Sequence, residues 1–166
     1  MAHPRMRFTA VYEAGEAWLA DCSTHPDFVR EAWHVEALAP IPSGTRWLAA
    51  ETLLVTGMQA RSGISEAHRG PVLADPVVDR AWWLVPLNAS DELADLRPVT
   101  VRPVGWPLHC PPTGRQACSR FWLTHPDGSG LKCGTPTPTA TPTAAIGMSR
   151  NYASADSQLH REFRAP

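Results

Sequence analysis

Seventeen prolines and eleven glycines punctuate this chain of 166 residues. Each proline fixes φ, removes a backbone donor and interrupts a helix or a sheet ladder, which excludes a bundle of long helices. Short elements joined by many turns are what such a chain can build. A hydrophobic content of 43% is too high for a wholly disordered polypeptide. A chain of this length buries roughly 70% of its unfolded surface, enough for one real core. No apolar run reaches the ~18 residues that span a bilayer. The Met1–Ala10 stretch carries Arg5 and Arg7 but is not followed by an apolar block of signal-peptide length. A soluble, cytoplasmic protein with no membrane partner is therefore expected.

The punctuation divides the chain into a mostly helical 1–45, a 46–127 region of strands with two short helices, and a tail. The spacing of Val11, Trp18, Leu19 and Cys22 predicts a helix over about Tyr12 to Cys22 with those residues on one face. Pro26-Asp27 starts a second helix, since proline at the first helical position loses no hydrogen bond. It runs to about Leu38 with its aromatics, Phe28 and Trp33, turned inward, and Pro40 and Pro42 stop it. Pro42-Ser43-Gly44 reads as a turn and Arg46–Ala50 as a short strand. Thr56 to Ala67 reads as a loop plus a weak helix.

The clearest signal lies at 70–85. Two apolar runs, Gly70–Ala74 and Arg80–Val85, flank the turn residues Asp75-Pro76 and predict a hairpin. Ser90-Asp91-Glu92 resembles a helix cap. Val99–Arg102, Gly105–Cys110 and Arg120–Thr124 read as further strands. From Thr135 to Thr143 threonine alternates with proline and alanine, and such a segment cannot offset ~1–2 kcal/mol of backbone entropy per residue. The expected fold is thus α/β of the α+β kind: a small mixed or antiparallel sheet with the N-terminal helices packed on one face. Residues 1–130 are expected to form a single compact domain, and 131–166 a mostly disordered tail with room for one short helix near Asp156–Phe163.

Charge is nearly balanced at −1, but it is unevenly placed. Between Leu96 and Pro126 stand Arg97, Arg102, Arg115 and Arg120 with no acid, whereas Glu13 to Glu36 holds six acids and one arginine. A basic stretch raises the local potential and attracts phosphate. The competing reading is a solvated sheet face.

No pattern specifies a reaction. Asp75 and Asp79 could face one metal ion across the hairpin turn, but turn capping explains both. His109, Cys110, Cys118, His125 and Cys133 fall within 25 residues without the close thiolate pair that presets a zinc knuckle. Asp91, Glu92 and Asp95 fit a helix start. Neither a G-x-S-x-G nucleophile elbow nor a phosphate-binding glycine loop occurs. Cys22 with His25 reads as helix-end packing, and no disulfide framework is expected. Seven tryptophans are many for this length. At least one of Trp82 and Trp83 must face outward or meet a helix, and core filling competes with base stacking for their role.

Several segments together carry a resemblance: Ala32-Trp33, Gly44–Trp47, Gly70–Pro76, Trp82–Pro86 and Phe121–Gly130, in that order over roughly residues 16–130. With these the chain resembles the short actinobacterial bifunctional DNA primase/polymerase-like proteins. The resemblance implies a small α/β domain related to, or reduced from, the primase–polymerase fold, with a role in replication. Catalytic members of that superfamily carry a D-x-D strand motif, a later histidine and a third carboxylate. This chain has no D-x-D, so no catalytic role carries over to Asp75.

The expectation is a non-catalytic domain of this kind that binds DNA or a nucleotide through the guanidinium forks of Arg46, Arg102, Arg115 and Arg120. Catalytic residues remain unassigned, and no metal or cofactor is expected. The alternatives are a small interaction or regulatory domain with a protein partner or a second copy, and an active DNA primase/polymerase.

Overall fold

The two apolar runs around Pro76 do pair. The computed structural model describes residues 4–131. In it β3 (Val72–Asp75) and β4 (Arg80–Val85) form an antiparallel hairpin in the register Asp75↔Arg80 to Val72↔Trp83. The other edge of β4 pairs with β2 (Leu48–Leu53), from Leu48↔Val85 to Leu53↔Arg80. β5 (Thr100–Val101) flanks β2, and β7 (Phe121–Thr124) flanks β3. The result is a five-stranded antiparallel sheet of order β5-β2-β4-β3-β7. A separate two-stranded ribbon joins β1 (Ala39–Pro42) to β6 (Pro107–Cys110). Pro40, Pro42 and Pro107 are tolerated there because a ribbon has two open edges on which a missing donor costs nothing.

Facing pairs in an antiparallel sheet share a side, and the side alternates along each strand. Ala49, Glu51, Leu84, Trp82, Leu73 and Trp122 therefore share one face, while Ala50, Thr52, Trp83, Ala81 and Val72 share the other. The first face packs under α1 (Pro4–Ala20), α2 (Pro26–His34) and the ribbon, with Leu19, Val29, Trp33, Ile41, Leu108 and Cys110 in the same core. The second packs on α3 (Leu54–Gly63) and α4 (Ser90–Ala94) through Ala60 and Leu93. The protein is an α+β domain with the sheet between two layers. Trp82 and Trp83 point to opposite sides and are both buried, 4% exposed each, so core filling accounts for the two indoles.

Several boundaries differ from the sequence reading. α1 begins at Pro4, eight residues before Tyr12, and Val11 on it is 42% exposed rather than part of the apolar face. α2 stops at His34, short of Leu38, because Glu36 turns left-handed at φ 58°. On it Val29 and Trp33 are buried but Phe28 faces solvent. The segment read as a helix stop and turn, 39–42, is β1, and the strand read at Arg46–Ala50 begins later and runs to Leu53. Thr56–Ala67 is more helical than expected. Gly57, which weakens α3 as a helix former, lets it lie on the sheet: a Cβ there would meet Ala81 Cβ and Thr52 Oγ1, each at 2.9 Å. Ser90 is the first residue of α4 and makes no cap bond. The tail from residue 132, with the helix expected near Asp156–Phe163, lies outside the described residues.

Candidate functional site

Glu51 sits in the middle of β2 after Leu48-Ala49-Ala50, and the alternation turns it toward the main core opposite Trp82. Its side chain is only 11% exposed. A carboxylate so placed needs partners, since an unpaired buried charge is far costlier than an unpaired hydroxyl. It has four donors. Arg80 Nε donates to Oε1 at 3.1 Å, while Trp82 Nε1 (2.7 Å) and Arg102 Nε (3.0 Å) and Nη2 (2.7 Å) donate to Oε2. β4 supplies Arg80 and Trp82 two residues apart, on one face. Arg102 follows β5 and is steered there by its own N–H, which bonds the Ala49 carbonyl at 2.8 Å.

Asp75, at the end of β3, is the second buried carboxylate. Its Oδ1 accepts the Ser119 hydroxyl at 2.6 Å and the Val77 N–H at 3.2 Å, and its Oδ2 accepts Arg120 Nε at 3.0 Å. Burial works to raise this carboxyl, but the Ser119, Arg120 and Val77 donors together outweigh it and hold Asp75 below its ordinary value. Arg120 also donates through Nη1 to the His109 carbonyl at 2.7 Å, joining β7 to the ribbon.

Tryptophans connect the two ion-pair clusters. The Arg120 guanidinium carbon lies 4.7 Å from the Trp82 ring centroid, Trp82 lies 6.4 Å from Trp106, and Arg102 lies 5.2 Å over Trp106. Arg102, Trp106, Trp82 and Arg120 thus form a continuous layer, with Arg80 beside it on Glu51. Three guanidiniums meet two carboxylates. The bonds leave one terminal nitrogen of each arginine without a partner among the described residues: Nη2 of Arg80, Nη1 of Arg102 and Nη2 of Arg120. The side chains are 38%, 35% and 18% exposed, respectively.

Of the four arginines singled out from sequence, the fold brings Arg102 and Arg120 into this layer. Arg115 instead reaches Glu36 at 3.5 Å, and Arg46 is exposed in the β1–β2 connection, where its charge acts on Cys22. Sequence reasoning missed Arg80 and Glu51. Arg80 looked like a strand boundary. The available signal was Glu51 itself, a lone acid closing an apolar run, which demands a cation from a neighbouring strand.

The remaining candidates separate in space or role. Asp75 serves the turn and Arg120, while Asp79 is exposed at φ 51° on the hairpin tip. Among the described residues, no three His, Cys, Asp or Glu side chains are grouped to hold a metal ion. Cys110 is buried, Cys118 is exposed, and His125 Nδ1 donates to the Thr113 carbonyl while its ring meets Tyr12 edge-on. Burial pushes the Cys22 thiol up, against the lowering influence of the Trp47 indole N–H and Arg46, and it pushes Cys110 up further. Comparison with protein-family models, with curated proteins and with solved structures finds no match for this chain.

Proposed function

We propose that this chain is a non-catalytic, primase/polymerase-like domain that binds nucleic acid or a nucleotide, with Arg80, Arg102 and Arg120 as the phosphate-facing groups. The observation that carries this reading is the trio of uncommitted guanidinium nitrogens on one layer, in which three arginines pair with two buried carboxylates. Guanidinium forks already held by carboxylates and indoles are pre-oriented, so little side-chain entropy is lost when the free N–H groups meet a phosphate oxygen. The acid-free stretch from 97 to 125 contributes two of the three. The non-catalytic part rests on Asp75, whose two oxygens are both engaged by Arg120, Ser119 and Val77.

Fluorescence anisotropy with labelled single-stranded DNA at low and moderate salt tests the reading. Three phosphate contacts give a slope of log affinity against log salt of about −2. Absence of binding, or binding indifferent to salt, overturns it. Primer synthesis with magnesium that is lost in Asp75→Asn would replace it with an active primase.

A second reading, a protein-interaction domain, is favoured by Leu53, Val55, Met58, Val77 and Val78, all at least 46% exposed. Leu53 and the Val77–Val78 tip lie at the same end of the sheet, where the Leu54 N–H bonds the Asp79 carbonyl. A stable dimer in size-exclusion chromatography with light scattering, without nucleic acid, would support this second reading. Among the described residues, no helix is long and apolar enough to cross a membrane.

A further inference from the structure

We infer that the arginine layer recognises the phosphate backbone of nucleic acid and not its bases; this rests on the binding reading above and sharpens it. Base recognition by a small domain of this kind needs an open aromatic face for stacking, an amide or carboxylate directed at a base edge, or an arginine fork with two free nitrogens for guanine O6 and N7. The layer offers none of these: two of the three nitrogens of each arginine are already bonded, which leaves one terminal nitrogen and no fork. Trp82 is 4% exposed and lies beneath Arg120, and Trp106 packs against the main core and carries Arg102 over its ring. Each indole therefore already carries a guanidinium on its ring. Both carboxylates are consumed by the arginines: Glu51 by Arg80, Arg102 and Trp82, and Asp75 by Arg120 and Ser119. What remains for a ligand is N–H donors bearing positive charge, and those match phosphate oxygens.

Asp79 offers a test of the charge of this surface. Its backbone carbonyl accepts Arg80 Nη1 at 2.9 Å, and its side chain is exposed at the hairpin tip, where its negative charge opposes an incoming phosphate. Asparagine tolerates the left-handed backbone at this position, and Asp79→Asn leaves the buried bonds untouched.

The experiment titrates the full-length protein with labelled dT20 and dA20, competes each with inorganic polyphosphate, and follows tryptophan emission. The expected result is equal affinity for the two homopolymers within about threefold, displacement by polyphosphate, and emission unchanged on binding. Asp79→Asn is expected to tighten both homopolymers about twofold at low salt. Arg80→Gln is expected to weaken both by the same factor, with Arg115→Gln as an unaffected control. A preference of tenfold or more for one homopolymer, the scale of one base stack, overturns the inference while leaving nucleic-acid binding in place. So does binding that polyphosphate cannot displace. Polyphosphate binding without DNA binding also overturns it. Failure to bind either probe overturns the reading beneath it, and the Asp79 variant keeps that test valid should Arg80→Gln fold poorly.

Discussion

Glu51→Gln isolates the energetic centre of the domain. The carboxylate takes three donors on Oε2 and one on Oε1. A glutamine can turn its carbonyl toward Trp82 and Arg102, but its amide then faces Arg80 Nε, donor against donor, and both arginines lose their counter-ion. Breaking one side of a buried ion pair costs about 3–5 kcal/mol. Arg80 and Arg102 are 38% and 35% exposed, so water recovers part of the loss, and about 2–3 kcal/mol is expected. Glu51→Leu also orphans the buried Trp82 N–H, which adds about 1–3 kcal/mol. With a urea m value of about 1.5 kcal/mol/M, the glutamine variant should lower the unfolding midpoint by roughly 1–2 M at unchanged m. The assay is urea unfolding followed by tryptophan emission and far-UV circular dichroism. A midpoint for Glu51→Gln within about 0.3 M of the parent, or a leucine variant more stable than the glutamine one, would refute the claim that this carboxylate is held by its donors.

Other outcomes follow from the same geometry. Asp75 is held below its ordinary value, so its contribution to stability is fully present above the unfolded carboxylate pKa, about 3.9, and is lost as pH falls through the lower native value. Urea midpoints between pH 6 and pH 3 should therefore fall less steeply in Asp75→Asn than in the parent. In a Cys133→Ser background, one thiol should react with a disulfide reagent in the native protein, namely the exposed Cys118. Cys22 and Cys110 should react only on unfolding, because burial raises both. Gly15→Ala should cost about 1–3 kcal/mol or more, since a Cβ there falls on the Pro126 carbonyl, where α1 meets the chain after β7. Gly105→Ala meets nothing and should cost only the left-handed backbone at φ 83°, about 1–2 kcal/mol. Thermal melts of the two variants side by side check the order.

The elements that were legible from sequence are those whose signal is local. The β3–β4 hairpin announces itself through two apolar runs around Asp75-Pro76, and α2 through Pro26-Asp27. β1 was hidden because Ala39–Pro42 carries two prolines, which mark a turn in isolation and become harmless only in a ribbon with β6, some 65 residues away. α3 was understated because its glycines lower helix propensity, and the close approach that makes Gly57 useful exists only once Ala81 is beneath it. The site follows the same division. An acid-free stretch rich in arginine is visible along the chain, and two of its members belong to the layer. The selection of Arg102 and Arg120 over Arg46 and Arg115 depends on Glu51 and Asp75, which lie 51 and 45 residues away from their partners. Composition reports how many cations a segment holds, and only strand register decides which of them meet a carboxylate.

That division bears on what the arginines are for. A purely structural network and a binding surface built on one make opposite demands on Glu51. If the guanidiniums serve only to neutralise buried acids, removing the acid lowers stability and does nothing else. If their uncommitted nitrogens also meet phosphate, the same substitution frees the Arg80 Nε donor now committed to Glu51 and raises the local charge by one. Glu51→Gln should then bind polyphosphate and single-stranded DNA more tightly at low salt, by about two- to fivefold, while unfolding at lower urea. Measured at a temperature where the variant remains folded, a loss of stability coupled to a gain in affinity is a combination the structural role alone does not produce. A variant that is destabilised with affinity unchanged or lowered would assign the arginines to the core and leave the exposed apolar end of the sheet as the surface to pursue.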